Sequence, residues 1–218
     1  KDQRQAFGKT PDLALGFGGG VGAFQKMAKT LGVNVTDEKA EQIKVAWRND
    51  HPDVVQFWKE LEQGAIAAVL NPGVPLSSGK YIRWVKKGSF LWCELPSKRL
   101  LCYPYPKIVE GRFGNDSLSY MTVDSFTKKW EYTDTYGGSL CENVVQAVAR
   151  DILAEAMLDL SVNYDIVMHI HDEVVMEVPE EKAETAYADI CRRMKTPPKW
   201  APDLPLDVDG WIGKRYRK

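Results

Sequence analysis

The chain has 218 residues, and its 29 Lys and Arg residues nearly balance its 30 Asp and Glu residues. Hydrophobic residues make up 44% and charged residues 27%, which excludes disordered and low-complexity classes and allows one large or two small globular domains. The sequence shows neither an apolar stretch long enough to span a membrane nor a secretory signal pattern, so we expect a cytoplasmic protein without membrane association. The four cysteines form no C-x-x-C pair, which favours reduced thiols.

The first third of the chain is predicted to be helical. Thr36 is a candidate helix N-cap, and Pro52 suits the first turn of a helix. Pro11 interrupts the second half of the first predicted helix. The predicted helices cover residues 1–15, 23–31, 36–47 and 52–69.

The remaining sequence mixes strands and helices. Residues 110–130 are polar and are predicted to be irregular, whereas residues 143–160 carry apolar side chains at spacings of four and predict a long helix. The predicted strands cover residues 81–85, 89–95, 100–103, 164–170 and 173–178, and a last helix covers residues 180–194. This order predicts an α+β fold, in which a helical segment precedes a mixed region with antiparallel strands and a long helix.

A basic and aromatic window extends from Lys80 to Trp130. It contains ten basic and four acidic residues, a net charge of +6, and six Tyr, Trp and Phe residues lie between residues 81 and 105. Basic residues interleaved with aromatic rings suit a nucleic-acid surface, because cations meet phosphates and rings meet bases. The alternative interpretation is a solvated antiparallel sheet with aromatic cross-strand pairs.

A polar corner of His171, Asp172 and Glu173 lies between two strongly apolar runs. Carboxylates at such a corner suit a divalent cation such as Mg²⁺, although an exposed acidic turn would give the same pattern. A zinc site built on His169 and His171, expected on one side of a strand, is a weaker alternative because the chain has only three histidines.

The glycine-rich stretch from Gly18 to Ala23 fits the pattern G-x-G-x-x-A of dinucleotide-binding folds, with Asp37 as a candidate ribose contact. That fold requires a strand before the glycines and a second parallel strand soon afterwards. Residues 36–70 offer only helices, which argues against an NAD-type oxidoreductase.

Three segments occur in an order that resembles the C-terminal part of a family-A DNA polymerase, the group of bacterial DNA polymerase I and many phage replicases. They are Arg4, Lys9 and Phe17-Gly18; residues 136–147; and His171-Asp172-Glu173. The sequence of these segments is most similar to that of phage members of the family. The resemblance implies fingers helices over residues 1–75 and a distal palm over residues 76–218, with the upstream palm and thumb absent.

The resemblance also implies roles for residues of the first helix. Arg4 and Lys9 would bind the triphosphate of the incoming nucleotide, and Lys9 would act in catalysis by stabilising charge on the leaving pyrophosphate. Phe17 would stack at the templating pocket. Leu13 stands where the family usually has an aromatic residue beside the sugar. The family spaces its arginine four residues before the lysine, whereas Arg4 precedes Lys9 by five and Gln5 holds the expected position.

Further roles fall in the second half of the chain. Gln146 would read the minor groove at the primer terminus, with Asn143 on the same helix as a second DNA-binding residue. His171 would lie near the primer end, and Asp172 would be the metal-binding aspartate, with Glu173 beside it as a second catalytic carboxylate.

The resemblance implies template-directed DNA synthesis, with primer–template DNA, a dNTP and an upstream polymerase segment as partners. The family's first metal-binding aspartate lies in a D-x-S-x-x-E segment, which has no counterpart before Lys1. The two-ion Mg²⁺ site would therefore be only partly supplied by these residues. We expect no activity without the upstream segment. We expect the protein to occur in the cytoplasm of a bacterial or phage-infected cell. The alternative function is a non-catalytic, polymerase-derived DNA-binding module.

Overall fold

A computed structural model describes residues 8–111 and 114–217, so Arg4 and Gln5 lie outside the described residues. Six α-helices and three small antiparallel sheets occur in the described residues, which confirms the α+β class. The chain divides into two compact units, one ending at Val145 and the other beginning at Gln146. No helix in the described part of the chain is both long and apolar enough to cross a membrane.

Four helices open the first unit, and they follow the helical segments predicted from the sequence. Thr36 is the N-cap of the third, where its Oγ1 accepts a hydrogen bond from the Lys39 amide at 3.3 Å. Pro52 lies at the start of the fourth, as expected for a residue without an amide hydrogen. The helices are α1 (Thr10–Leu15), α2 (Val21–Thr30), α3 (Asp37–Asp50) and α4 (Pro52–Leu70).

Helix α4 packs against a four-stranded antiparallel sheet in the order β1-β2-β3-β4. Its strands are β1 (Leu76–Ser78), β2 (Ile82–Lys87), β3 (Phe90–Glu94) and β4 (Leu100–Pro104). Trp84 is fully buried between sheet and helix, and its indole Nε1 donates to Ser78 Oγ at 3.0 Å. Ser78 Oγ in turn donates to the Glu60 carbonyl of α4 at 2.6 Å. A buried polar link thus fixes the helix on the sheet.

A second antiparallel sheet contains β5 (Lys107–Glu110), β6 (Asp116–Val123) and β7 (Trp130–Thr135). The prediction that residues 110–130 are irregular is therefore wrong. These strands carry few apolar residues because much of their surface is exposed, so their hydrophobic pattern is weak. Asp124 stabilises the β6–β7 turn, since its Oδ1 accepts hydrogen bonds from the amides of Phe126 and Thr127.

Helix α5 (Gly137–Leu160) starts in the first unit and continues into the second. It begins six residues before the predicted helix. The prediction missed this first part because Gly137 and Gly138, a residue type that usually marks a turn, are its first residues. The second unit then contains the antiparallel pair β8 (Asp165–Ile170) and β9 (Glu173–Glu177), a 3₁₀ turn (Glu180–Lys182) and α6 (Ala183–Met194). Both strands and the last helix confirm the prediction.

Candidate functional site

Helix α1 presents Lys9 and Leu13 to solvent. Lys9 is the N-cap of the helix and is exposed, and Leu13 is 56% exposed. The two residues are four apart and therefore lie on one face, whereas Thr10, Ala14 and Leu15 are buried on the other side. An apolar side chain as exposed as Leu13 is available to a ligand.

Two contacts from α3 hold α1 and the loop that follows it. The Trp47 indole Nε1 donates to Asp12 Oδ1 at 2.8 Å, and Arg48 Nη2 donates to the Gly19 carbonyl at 3.3 Å. Trp47 is buried and stacks on both His51, at 4.3 Å between ring centroids, and Trp58, at 6.0 Å. The orientation of the exposed face of α1 is thus tied to a stack of rings in the first unit.

The glycine-rich stretch is a close-packed bend between α1 and α2. Gly18 has a φ of +78°, and a Cβ on Gly19 would lie 1.8 Å from the Ala14 carbonyl oxygen. A helix, α1, precedes these glycines where a dinucleotide fold needs a strand, and all strand pairs among the described residues are antiparallel. The dinucleotide-binding interpretation is therefore wrong.

The bend packs on the start of α5. The Tyr136 hydroxyl donates to the Phe17 carbonyl at 3.2 Å, and a Cβ on Gly138 would lie 2.1 Å from that same carbonyl oxygen. Burial raises the pKa of Glu62, and a hydrogen bond from the Gly137 amide partly offsets this effect. Phe17 itself is half-buried. The backbone on both sides of this candidate templating residue is therefore fixed.

Asn143 lies on the part of α5 that belongs to the first unit. Its Nδ2 donates to the Tyr103 hydroxyl at 3.3 Å, and the side chain also hydrogen-bonds Tyr120. Burial raises the pKa of both tyrosines, which keeps their hydroxyls protonated. The rings of Tyr103 and Tyr120 meet edge to face at 4.9 Å between centroids. In this structure the amide of Asn143 joins the two small sheets.

In the second unit, the β8–β9 hairpin carries the polar corner at its tip. His171 and Asp172 form the turn, and both are exposed. His171 has a φ of +53°, so it leaves the strand that holds His169. The expectation that the two histidines point the same way along one strand is therefore wrong. Gln146 is exposed on α5.

Glu173 and Asp172 have different surroundings. Glu173 is half-buried, and its Oε2 accepts a hydrogen bond from the Tyr216 hydroxyl at 3.2 Å. Burial and the carboxylate of Glu173 together raise the pKa of Tyr216. The side chain of Asp172 makes no hydrogen bond or ion pair with any other described residue. Its carboxylate is thus free for a ligand, whereas that of Glu173 is partly occupied.

The hairpin tip fits part of a Mg²⁺ site. An exposed carboxylate is the ligand type that Mg²⁺ prefers, and the ion commonly takes only one or two carboxylates from a protein. Within residues 8–111 and 114–217, no group of three or more His, Cys, Asp and Glu residues could hold a metal ion. The described residues therefore offer Asp172 as a ligand without a complete ligand set.

Part of the chain matches the model of a known protein family, namely the second unit and the last residues of the first. Residues 140–218 match the family model "DNA polymerase family A". These residues are thus similar to DNA polymerase family A. The match includes the hairpin with Asp172 and most of α5, which agrees with the resemblance carried by the sequence motifs.

Two curated polymerases are similar to the chain. The DNA polymerase of Bacillus phage SP02 is 37% identical over 214 residues, which is 97% of this chain and 32% of the phage protein. The thermostable DNA polymerase I of Thermus filiformis is 32% identical over 77 residues, 33% of this chain and 9% of that protein. The chain thus spans about a third of the length of its phage relative. Among solved structures, none is significantly similar to the chain.

Several residues that position elements of the first unit were not predicted as functional. Asp12, Trp47, Glu62 and Tyr136 hold α1, the glycine bend and the first turn of α5. The pair Gly137-Gly138 was the available signal, because adjacent glycines often mark a close backbone approach. Their partners lie far away in sequence, and only the fold brings them together.

Proposed function

We propose that this chain is the fingers and distal palm part of a family A DNA polymerase and takes part in template-directed DNA synthesis. In the reaction, a primer 3′-hydroxyl attacks the α-phosphate of a dNTP, the new phosphodiester bond forms, and pyrophosphate leaves. The 37% identity to a phage DNA polymerase over 97% of the chain carries the proposal. The division into fingers (residues 1–75) and distal palm (residues 76–218) is part of it.

The proposed nucleotide site is the exposed face of α1. Lys9, with Arg4, binds the triphosphate, and the cationic charge of Lys9 stabilises the negative charge that moves to the leaving pyrophosphate. Leu13 contacts the sugar, and Phe17 stacks at the templating position. The exposure of Lys9 and Leu13 on one face supports this assignment.

The proposed primer and metal residues lie on α5 and the hairpin. Gln146, with Asn143, contacts the primer-terminal pair, and His171 lies near the primer end. Asp172 binds Mg²⁺, and Glu173, held by Tyr216, lies beside it. Bound Mg²⁺ supplies charge stabilisation for phosphoryl transfer. The free carboxylate of Asp172 at an exposed turn supports its role as a ligand.

We also propose that the second metal-binding carboxylate comes from an upstream polymerase segment, in the same polypeptide or in another one. Two-metal transfer needs carboxylates from two strands, and the tip of the hairpin provides one free carboxylate, that of Asp172. The incomplete ligand set equally favours the second candidate function, a DNA-binding module without catalysis. Its distinguishing feature is that DNA binding shows no dependence on dNTP.

Substitution of Asp172 tests the proposal in a polymerase that contains this chain together with the upstream segment. Asp172→Asn should lower primer extension by at least about 10³-fold, because a metal ligand contributes several kcal/mol to the transition state. Binding of primer–template DNA should change little. Asp165→Asn is the matched control, since Asp165 is an exposed carboxylate at the other end of the same hairpin. Retained synthesis by the Asp172 variant would refute the metal assignment.

A further inference from the structure

We propose that the outer face of the first sheet binds single-stranded DNA, namely the unpaired template, by stacking bases on Trp92, Phe90 and Tyr105. We call these three residues the aromatic row. The inference rests on the proposed function, because that function supplies DNA as the ligand. It adds a binding surface distinct from the residues assigned to nucleotidyl transfer.

The aromatic row is continuous. The ring centroids of Phe90 and Trp92 are 5.8 Å apart, and those of Phe90 and Tyr105 are 6.1 Å apart, with interplanar angles of 48° and 44°. Phe90 is 38% exposed, Tyr105 is 50% exposed and Trp92 is half-buried. Three adjoining rings with accessible faces are what proteins use to stack successive bases without sequence preference.

Strand alternation separates this face from the core of the unit. Phe90 and Trp92 alternate along β3 with Leu91 and Cys93, which are fully buried. The aromatic residues of the window with buried side chains, Trp84 and Tyr103, lie on the inner side with them. The inner rings thus belong to the core of the unit, whereas the outer rings lie on the opposite face of the sheet and contact one another.

The backbone at Tyr105 is held in a conformation that side chains rarely adopt. Its φ is +48°, and its amide donates to the Ser89 carbonyl at 2.7 Å. Such a conformation is strained in residues other than glycine, and it is often found at binding sites. Here it brings the Tyr105 ring beside Phe90.

Charge favours a polyanion on this face. Lys87 is paired with Phe90 across β2 and β3, and directly opposite residues lie on the same face of a sheet. Lys87 is exposed and makes no hydrogen bond or ion pair with other described residues. The surrounding window from Lys80 to Trp130 carries +6, although Arg83 at the far end is 3.9 Å from Glu94. Cations beside exposed rings match phosphates beside bases.

The test measures the binding of the 218-residue chain to fluorescent oligonucleotides of about 12 nucleotides. The probes are oligo-dT, an abasic strand with the same number of phosphates, and a blunt duplex. Wild-type chain should prefer oligo-dT to both. Phe90→Leu and Trp92→Leu keep an apolar side chain on the sheet but remove the ring, and each should bind oligo-dT about tenfold more weakly. Neither should change binding to the abasic strand.

Two further variants sharpen the test. Lys87→Gln should weaken binding to oligo-dT and the abasic strand equally and should reduce the salt slope by about one. Trp211→Leu removes a ring of similar exposure, 42%, outside the basic window and should bind like wild type. Thermal melting followed by circular dichroism establishes that each variant is folded.

Unchanged binding of oligo-dT by Phe90→Leu and Trp92→Leu would overturn the inference, and so would an equal loss on the abasic strand or in Trp211→Leu. Asp172→Asn separates this result from the proposed function, because it should abolish primer extension without changing oligo-dT binding. If ring variants bind normally while extension depends on Asp172, the aromatic row is excluded and the polymerase assignment stands. If the ring variants lose oligo-dT binding as expected, but the polymerase that contains the upstream segment does not extend a primer, the proposed function in DNA synthesis is wrong.

Discussion

The two units of the molecule are stabilised in different ways. Among the described residues, twenty buried hydrophobic side chains lie in the unit that ends at Val145, and four lie in the unit that begins at Gln146. The first unit has large fully buried side chains such as Trp84 and Phe24. In the second unit, Leu158 is 73% exposed and Val167 is 52% exposed. The first unit therefore has its own core, whereas the second has little buried apolar surface.

Polar contacts replace part of that core in the second unit. Arg193 joins α6 to the end of α5, through Asp159 at 2.5 Å and Asn163 at 2.8 Å. Tyr164 donates to Asp189 on α6 at 2.9 Å. The family model nonetheless matches residues 140–218, which include the whole second unit. The sequence that matches the family model and the core that stabilises the chain therefore lie mostly in different units.

Truncation of a leucine in each unit should give the largest difference. Leu61→Ala, on α4, should lower the free energy of unfolding of the first unit by about 2–5 kcal/mol, because Leu61 is fully buried. Leu158→Ala, on α5, should change stability by less than about 0.5 kcal/mol. Urea denaturation followed by tryptophan fluorescence measures both. Equal effects would contradict the contrast between the units.

A methyl group added where the start of α5 meets the glycine bend should have the next largest effect. Gly138→Ala places a Cβ on the Phe17 carbonyl and should cost about 1–3 kcal/mol through overpacking. Gly22→Ala is the matched control within α2, where no atom lies within 4 Å of the added Cβ. It should be neutral or stabilise by up to about 1 kcal/mol. The same urea titration compares them, and a neutral Gly138→Ala would show that the close approach has no energetic weight.

The contact between Trp47 and Asp12 should have a smaller effect on stability. Trp47→Phe keeps a ring in the stack but removes the donor to Asp12. It should cost about 0.5–1.5 kcal/mol, because the exposed carboxylate of Asp12 can turn to water. In the polymerase with its upstream segment, the KM for dNTP should rise, since α1 carries Lys9 and Leu13. An unchanged KM would separate this contact from nucleotide binding.

The smallest expected effect is a pH dependence of the second unit. The hydrogen bond from Arg193 lowers the pKa of Asp159 below its usual 3.8, and Arg192 and Tyr164 lower that of Asp189. Because both pKa values are lower in the folded state, the stabilisation is present above about pH 4 and is lost as the pH falls through the folded values. The protection factors for amide hydrogen exchange in residues 146–217 should therefore fall as the pH is lowered below about 4.

Arg193→Ala should flatten this pH dependence. Lys214→Ala is the matched control, because Lys214 pairs with Glu180 at 3.3 Å and both side chains are more than four-fifths exposed. Its exchange profile should follow that of wild type. If the pH profile of Arg193→Ala is identical to that of wild type, the acid sensitivity comes from groups other than the carboxylates that Arg193 contacts.

Much of the fold was predictable because local signals agreed with the tertiary structure. Thr36 and Pro52 marked helix starts correctly, and the polar corner between apolar runs marked the β8–β9 turn. The sheet of β6 and β7 was missed because its strands are stabilised by cross-strand pairing and the Asp124 turn, and not by an apolar pattern. The early start of α5 was missed because Gly137 and Gly138 serve packing against distant residues.

The candidate site likewise has residues that the sequence could indicate and contacts that it could not. Motif order indicated Lys9 and Asp172 as candidate site residues, because these residues are defined by their chemistry. Both are exposed in the structure, and their roles stay predictions. Asn143 was predicted as a DNA contact, yet its hydrogen bond to Tyr103 depends on a fold that brings residues 40 positions apart together. Contacts of this kind have no signature in a single sequence.

Primer extension by two proteins tests the central claim most directly. One is the 218-residue chain alone. The other is a fusion in which this chain replaces the matching segment of the phage SP02 polymerase, so that the phage protein supplies the sequence that the chain does not cover. The proposal predicts that only the fusion extends a primer, with a requirement for Mg²⁺ and dNTP, and that Asp172→Asn abolishes this activity. Robust extension by the chain alone, or by the fusion that carries Asp172→Asn, would contradict it.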